Sequence, residues 1–345
     1  MSGMIHLGRT GRLFAPVMFM MLVTVTDTAA FTLEQVRLRD EVLCGVAADL
    51  PGFSKAAPEG EWHGLNVDFC RAVAAAVLGD STKVRFVPLN RNDAVTALLS
   101  GETDLLSMNL EWNLSLDTSV GINFCGVSFY DGLGFMVPVE SDVTSALELE
   151  NSLICHDTAT SAAAGLDKFF ATHNMIYRTE GFDGEEAFRA AVQSDKCRVV
   201  SGNLSRLAIL RMGATRPDAY VILPEIISRR PVGPAVRQGD DGWFDVVRWV
   251  LFILKIAEEE GVTSLNLETM TMSSDPEIRK LLGFEGAKGK GLGLSDDWVI
   301  RVIDQVGNYG EIFERTLGRD SPMNMERRHN ELWSRGGLHY GPAID

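Results

Sequence analysis

The chain has 345 residues, with 32 lysines and arginines against 47 aspartates and glutamates, a formal charge of −15. An acidic balance of this size argues against nucleic acid and anionic membrane surfaces as partners, since both demand basic faces. It suits a soluble, freely diffusing chain, and the length suggests two lobes more readily than one.

The first thirty residues read as an address. Arg9 and Arg12 form a short basic region, Leu13 to Val25 (LFAPVMFMMLVTV) an apolar core, and Thr28-Ala29-Ala30 a small-residue cleavage site. The apolar run is short for a bilayer span and no stop-transfer charges follow it. No cysteine near the site offers a lipid anchor. A mature, exported chain is expected to begin near Phe31. Its loss of two arginines and one aspartate leaves it one unit more acidic.

From Glu41 short apolar runs alternate with helical ones. Val42 to Ala47 (VLCGVA) reads as a buried strand, and NVDFCRAVAAAVLG as a helix with Val67, Cys70, Val73 and Val77 on one face and Gly79 as its stop. VRFVPL, a short helix over 93–99, and TDLLSM complete a βαβαβ unit, the mark of a parallel sheet covered by helices. The pattern repeats. SLICH (152–156) reads as a strand, 160–172 as a helix, MIYRTE as an extended run, GEEAFRAAVQ as a helix and CRVVSG as a strand. A helix over 204–212 and the strand AYVIL follow. PVGPAVRQGD, rich in Pro and Gly, then leads into WFDVVRWVLFILKIAEEE (243–260). That run is broken by Asp245, Arg248 and Lys255, so it reads as a strongly buried amphipathic helix and not a membrane span.

The layout is α/β: a first lobe over 31–137 and 237–345, with a C-terminal helical extension, and a second over 138–236. Two crossings near 135–139 and 224–236 form a hinge, and a ligand cleft lies at the carboxyl ends of the strands. No GxSxG, HExxH, P-loop or GxGxxG pattern is present, and GKGLGL (289–294) lacks the strand–helix context of a phosphate loop and reads as surface loop. Six histidines are scattered without metal spacing, and no cofactor or metal is called for. Five cysteines, Cys44, Cys70, Cys125, Cys155 and Cys197, leave at least one unpaired within a monomer.

Long, ordered stretches then carry a resemblance. GLNVDFCRAVAAAVLGD (64–80), LDTSVGINFCGVSFYDGLGFMV (116–137), VILPEIISRRPVGPAVRQGDDGWFDVVRWVLF (221–252), QVGNYGEIFERTLG (305–318) and LWSRGGLHYGP (332–342) resemble the general L-amino-acid-binding periplasmic proteins of ABC importers. The resemblance implies a two-lobed type II periplasmic solute-binding fold, two similar βαβ lobes on a two-strand hinge. It also implies a periplasmic monomer with no enzymatic activity, a small polar solute as ligand and an inner-membrane ABC permease as partner. In the family, an arginine after the third strand of lobe one grips the ligand α-carboxylate, a threonine assists it, and an aspartate in lobe two takes the ammonium.

Those positions fall here on Leu116 (in NLSLDTS, where the family has TLSRDTS), Glu111 and Asn203. Ala47 and Ala48 stand where polar residues are expected after the first strand. Asp157 precedes an anion-binding turn whose glycine is Ala159, with Thr160, Ser161 and Trp112 completing the candidate lining. The anchors are replaced together, and Glu111 with Asp157 gives the site a formal −2. A ligand carboxylate left without its arginine costs roughly 3–5 kcal/mol. Ordinary α-amino acids are therefore expected to be disfavoured, and cationic or neutral polar ligands favoured.

The alternatives are a sensor or scaffold with a degenerate cleft, or an enzyme using Glu111, Asp157 and His156 as acid–base groups. Each residue also has a plainer reading. Leu116 is then core, with Arg91 or Arg206 reaching the cleft instead; Glu111 points outward; Asp157 caps the following helix. His156, Trp112, Phe53 and Trp62 become packing residues. Cys155 and Cys197 occur in the resembling family, which makes them candidates for a bridge; Cys44 and Cys70, on a strand and its following helix, are another, leaving Cys125 over.

Overall fold

In the computed structural model, residues 1–4 and 31–344 are described, apart from positions 159, 161, 195 and 287. The signal-peptide and cleavage-site readings, Ala159 and Ser161 lie outside the described residues. From Phe31 onward the chain runs through α1 (Thr32–Arg39), β1 (Val42–Ala47), β2 (Asp49–Leu50), β3 (Ser54–Ala56), β4 (Trp62–His63), α2 (Leu65–Leu78), β5 (Val84–Leu89), α3 (Arg91–Ser100), β6 (Leu105–Leu106), α4 (Leu114–Ser119) and β7 (Ile122–Phe124). β8 (Phe129–Asp131) leads out of this first group. β9 (Leu133–Pro138), β10 (Leu153–Asp157), α5 (Ala162–Thr172), β11 (Arg178–Phe182), α6 (Glu185–Gln193), β12 (Val199–Asn203), α7 (Leu204–Met212) and β13 (Tyr220–Ile222) make the second. The chain returns through β14 (Arg230–Val232) and β15 (Ala235–Arg237) to α8 (Asp241–Glu259), then α9 (Leu267–Met270), α10 (Pro276–Leu281), α11 (Trp298–Val306) and α12 (Tyr309–Thr316).

Two five-stranded sheets result, ordered β5-β1-β6-β15-β7 and β11-β10-β12-β9-β13. In each, three parallel strands are followed by two that join antiparallel. The repeat of βαβ units read from the sequence thus appears twice in the same order. The alternation has its physical cause in burial on both faces: β1 is buried over Val42–Val46, and α2 presents an almost wholly apolar surface to it. α2 stops at Gly79, whose φ of 74° suits a residue without a Cβ. The small sheet β2-β3-β4 was not legible, because its strands are two or three residues long.

Leu133–Pro138 is a strand of the second sheet, so the first crossing lies before it and not at 135–139. The crossing strands are β8 and β14, which pair antiparallel with Tyr130 opposite Pro231. They run so close that a Cβ on Gly233 would lie 1.8 Å from the Gly126 carbonyl oxygen, which reserves that position for glycine.

The C-terminal extension braces the same segment. Asn330 bonds the Tyr130 backbone on both sides, accepting its N–H at 2.7 Å and donating to its carbonyl at 3.1 Å, and the Tyr309 hydroxyl donates to Ser128 O at 2.8 Å. Lys255, on the apolar side of α8, is buried and donates to Val127 O at 2.8 Å. Gly289–Leu292, expected as open loop, belongs to a 3-10 turn, and Leu294 after it is buried. The sulfurs of Cys44 and Cys70, and of Cys155 and Cys197, are bonded, while Cys125 is a buried free thiol, its pKa pushed up by desolvation.

Candidate functional site

Ala47, Asp157 and Asn203 end β1, β10 and β12, while Glu111 and Trp112 follow β6 and Leu116 stands on α4. On the first sheet, Leu110–Trp112 is held against β14 by backbone bonds: Gly233 N–H donates to Leu110 O at 3.2 Å and Trp112 N–H to Pro231 O at 2.9 Å. Glu111 forms a bridge with Val232. Trp112 stacks on Phe124 with centroids 5.5 Å apart, and it packs with Leu116 and Ala47 at the margin of a core cluster containing Leu110 and Ile122. Trp112 therefore supports the loop. Leu116 is half-buried on α4, whose first turn is capped by Asn113 accepting from Leu116 N–H at 3.0 Å.

Glu111 accepts from Arg230 Nε at 3.2 Å, and Arg230 Nη1 reaches Asp131 at 3.1 Å. Asp131 has a side chain with 0% exposure and also accepts from Gly132 N–H (3.0 Å), Ser205 N–H (3.2 Å) and Ser205 Oγ (2.6 Å). This carboxylate ties the crossing strand to the first turn of α7. Arg91 stands in the same field: desolvation and the like charge of Arg230 lower its pKa, against the pull of Glu111. Arg230 also borders a groove of about 700 Å³ beside the crossing strands, with Arg229, Lys168 and His329 on its rim.

On the second sheet, Asp157 is 5% exposed and accepts from Arg206 Nη1 at 2.5 Å. The guanidinium of Arg206 lies over the Phe188 ring at 5.2 Å. The Asp157 backbone oxygen accepts from Thr160 N–H (3.2 Å) and Oγ1 (2.8 Å). His156 is buried with Nδ1 3.3 Å from that same oxygen. Asn203 ends β12 opposite Leu133 and makes no cap bond to α7.

The structure thus brings Glu111 together with Trp112 and Leu116, and Asp157 with Thr160 and His156. The expected surplus of −2 does not stand bare: Arg230 pairs with Glu111 and Arg206 with Asp157. Arg230, which sequence reasoning missed, is separated from Glu111 by 119 positions, and only the pairing of the crossing strand reveals it. Phe53 and Trp62 are packing residues, Phe53 edge-on to Phe129 at 5.1 Å and Trp62 beside Phe86 at 5.8 Å. Among the described residues no cluster of metal-ligand side chains occurs, and no helix is long and apolar enough to cross a membrane.

The sequence pattern of the bacterial extracellular solute-binding proteins, family 3, matches residues 42–255. The chain is similar to the General L-amino acid-binding periplasmic protein AapJ of Rhizobium johnstonii, at 45% identity over 324 residues, 93% of this chain and 95% of that one. It is 43% identical over 323 residues to the Glutamate/glutamine/aspartate/asparagine-binding protein BztA of Rhodobacter capsulatus, covering 92% and 94%. A solved ABC transporter / periplasmic binding protein from Brucella ovis with glutathione bound superposes with a TM-score of 0.79 at 44% identity, covering 92% of this chain and 100% of that one. The fold is the two-lobed type II periplasmic solute-binding fold.

Proposed function

The chain belongs to the bacterial extracellular solute-binding proteins, family 3, and from that premise we propose that it is the periplasmic receptor of an amino-acid-type ABC importer. It captures a small polar solute between two lobes and delivers it to a membrane permease, without turnover. The observation that carries this reading is the matched pair of sheets joined by β8 and β14. In this reading the first lobe holds β1–β7 and β15 with the C-terminal helices, the second holds β9–β13, and the crossing strands are the hinge. A ligand that touches both carboxyl edges favours the closed state by its differential contacts there.

Specificity is altered. Leu116 offers no charge to a carboxylate, so an amino acid held from the first lobe loses roughly two decades or more of affinity. The preference for cations read from Glu111 and Asp157 depends on unpaired carboxylates. Paired with arginines, they favour a neutral or zwitterionic solute over a simple cation. The Brucella ovis relative with glutathione bound supports a peptide-like solute.

A thermal-shift screen of residues 31–345 tests the proposal, with the standard amino acids, polyamines, betaines, polyols and glutathione as the panel. A solute present at about a thousand times its Kd adds about 4 kcal/mol of stability and moves the midpoint by several degrees. A shift with glutathione, which carries a zwitterionic head, or with a neutral polar solute is expected. A larger shift with ordinary amino acids overturns the altered specificity, and silence across the panel favours the sensor or scaffold.

A further inference from the structure

Resting on the reading of the cleft as a solute site, we infer that Arg206 and Asp157, and not position 116, read the charged head of the solute. Arg206 receives a carboxylate and Asp157 the adjoining ammonium, so the ligand is a peptide-like solute with a free amino-acid head.

The two residues are 49 positions apart yet meet on one edge. Asp157 ends β10, and Arg206 stands in the first turn of α7 directly after β12, the neighbouring parallel strand. That edge is where a fold of this kind places its ligand. A buried ion pair is weak evidence of a stability role, because an apolar pair of similar volume holds a fold as well or better. Its presence at the cleft edge therefore points to recognition.

Arg206 is prepared for it. Phe188 holds the guanidinium from one side at 5.2 Å, and the side chain keeps 21% exposure. Only Nη1 is used by Asp157. Nε and Nη2 are buried and have no hydrogen-bond acceptor among the described residues. Charged donors left in that state are costly, and an oxyanion arriving from the cleft satisfies them. Among the described neighbours, Thr160 Oγ1 and His156 Nδ1 are both turned to the Asp157 backbone oxygen instead.

In the first lobe Arg230 is shared by Glu111 and Asp131, and Leu116 carries no charge; Arg248, whose Nε is likewise buried without an acceptor among the described residues, stands within the helix α8 over the Phe244 ring and not after a strand end. A side-by-side arginine and aspartate match a zwitterion. A dicarboxylate without an amine meets Asp157, and a diamine meets Arg206, so both are rejected.

The test is calorimetric titration of the mature chain with glutathione and with glutathione amidated at its glutamyl α-carboxyl. Wild type is expected to favour the acid by roughly 10- to 100-fold. Arg206→Met should collapse that ratio toward one with the thermal midpoint monitored for folding, and Arg206→Lys should keep part of it. Asp157→Asn, a second variant that leaves the arginine in place, should weaken glutathione while improving binding of glutarate, a carboxylate without the amine. A ratio unchanged in Arg206→Met, or glutarate binding unimproved in Asp157→Asn, overturns the inference. Glutathione that fails to bind wild type also overturns it; if other solutes in the screen still shift the midpoint, the importer reading stands without it.

Discussion

Cys44 and Cys155 occupy the same place in the two sheets. Each is the third residue of the strand second in its sheet, and each faces a parallel neighbour, Leu105 for Cys44 and Val200 for Cys155. Their partners differ: Cys44 is bonded to the helix that follows its strand, through Cys70 on α2, and Cys155 to Cys197, just before the adjacent strand β12. Further along the same strands the divergence is one of charge. β1 ends in Ala47, which packs at the core margin, whereas β10 ends in Asp157, held by Arg206. The first sheet receives its charge from the crossing strand, through Arg230 on Glu111. One frame used twice thus holds two edges of different chemistry, one dependent on β14 and one self-contained.

Breaking the disulfides compares the two frames directly and carries the largest expected effect. With a sequence separation of 42, replacing Cys155 and Cys197 by serine should cost about 4 kcal/mol on the loop-closure model. The separation of 26 between Cys44 and Cys70 predicts a few tenths of a kcal/mol less. Urea unfolding of the two double variants measures both. A much larger loss in the Cys44–Cys70 variant would mean that the strand–helix joint also holds packing that the loop model omits.

Next comes the hinge-borne charge. Arg230→Met leaves Asp131 buried without its cation and should lower stability by about 3 kcal/mol, the low end for a broken buried pair because Ser205 and Gly132 still donate to it. The equivalent change at Arg206 is expected to cost less stability, since its pair lies outside the crossing strands. Equal losses in urea would erase the distinction between a hinge arginine and a ligand arginine.

Lys255 extends the comparison to a charge that has no carboxylate partner among the described residues. Its ammonium donates to Val127 O in the buried core, and burial pushes its pKa down from 10.5 to about 7. Because the folded value lies below the unfolded one, the penalty is complete below about pH 7 and fades as the pH rises toward the ordinary lysine range. Stability of the wild type relative to Lys255→Met should therefore rise by on the order of 2–3 kcal/mol between about pH 7 and pH 9. A flat difference in paired melts would show that a counter-charge reaches the lysine after all.

How far the sequence reached follows the range of the interactions. α7 is found at the residues expected for it, and α2 and α8 within a few residues, because periodic burial and local stops such as Gly79 define them. Asp157 and Arg206 were both named, but their pairing was not, since nothing local marks a strand end and the helix that follows the neighbouring strand as partners. Arg230 was invisible for the same reason, and with it went the estimate of surplus charge. The first crossing was misplaced because Leu133–Pro138 is apolar and extended whichever sheet it joins.

The smallest effect bears on the residue with the most at stake. Leu116 is half-buried at the margin of its cluster, and a long arginine stem can cover the same apolar surface while its head reaches water. Leu116→Arg should therefore cost about 1 kcal/mol or less in urea unfolding. The cap on α4 uses the backbone N–H of residue 116 and is indifferent to its side chain. A loss of about 3 kcal/mol, the size of a true core truncation, would make Leu116 a core residue and remove position 116 from the cleft edge. If the cost is small, adding Glu111→Thr and Asn203→Asp should bring ordinary amino acids back by roughly two decades in calorimetry. Arg230 would then keep Asp131 alone, so the gain would come from a rebuilt first-lobe anchor while the hinge stayed tied to α7.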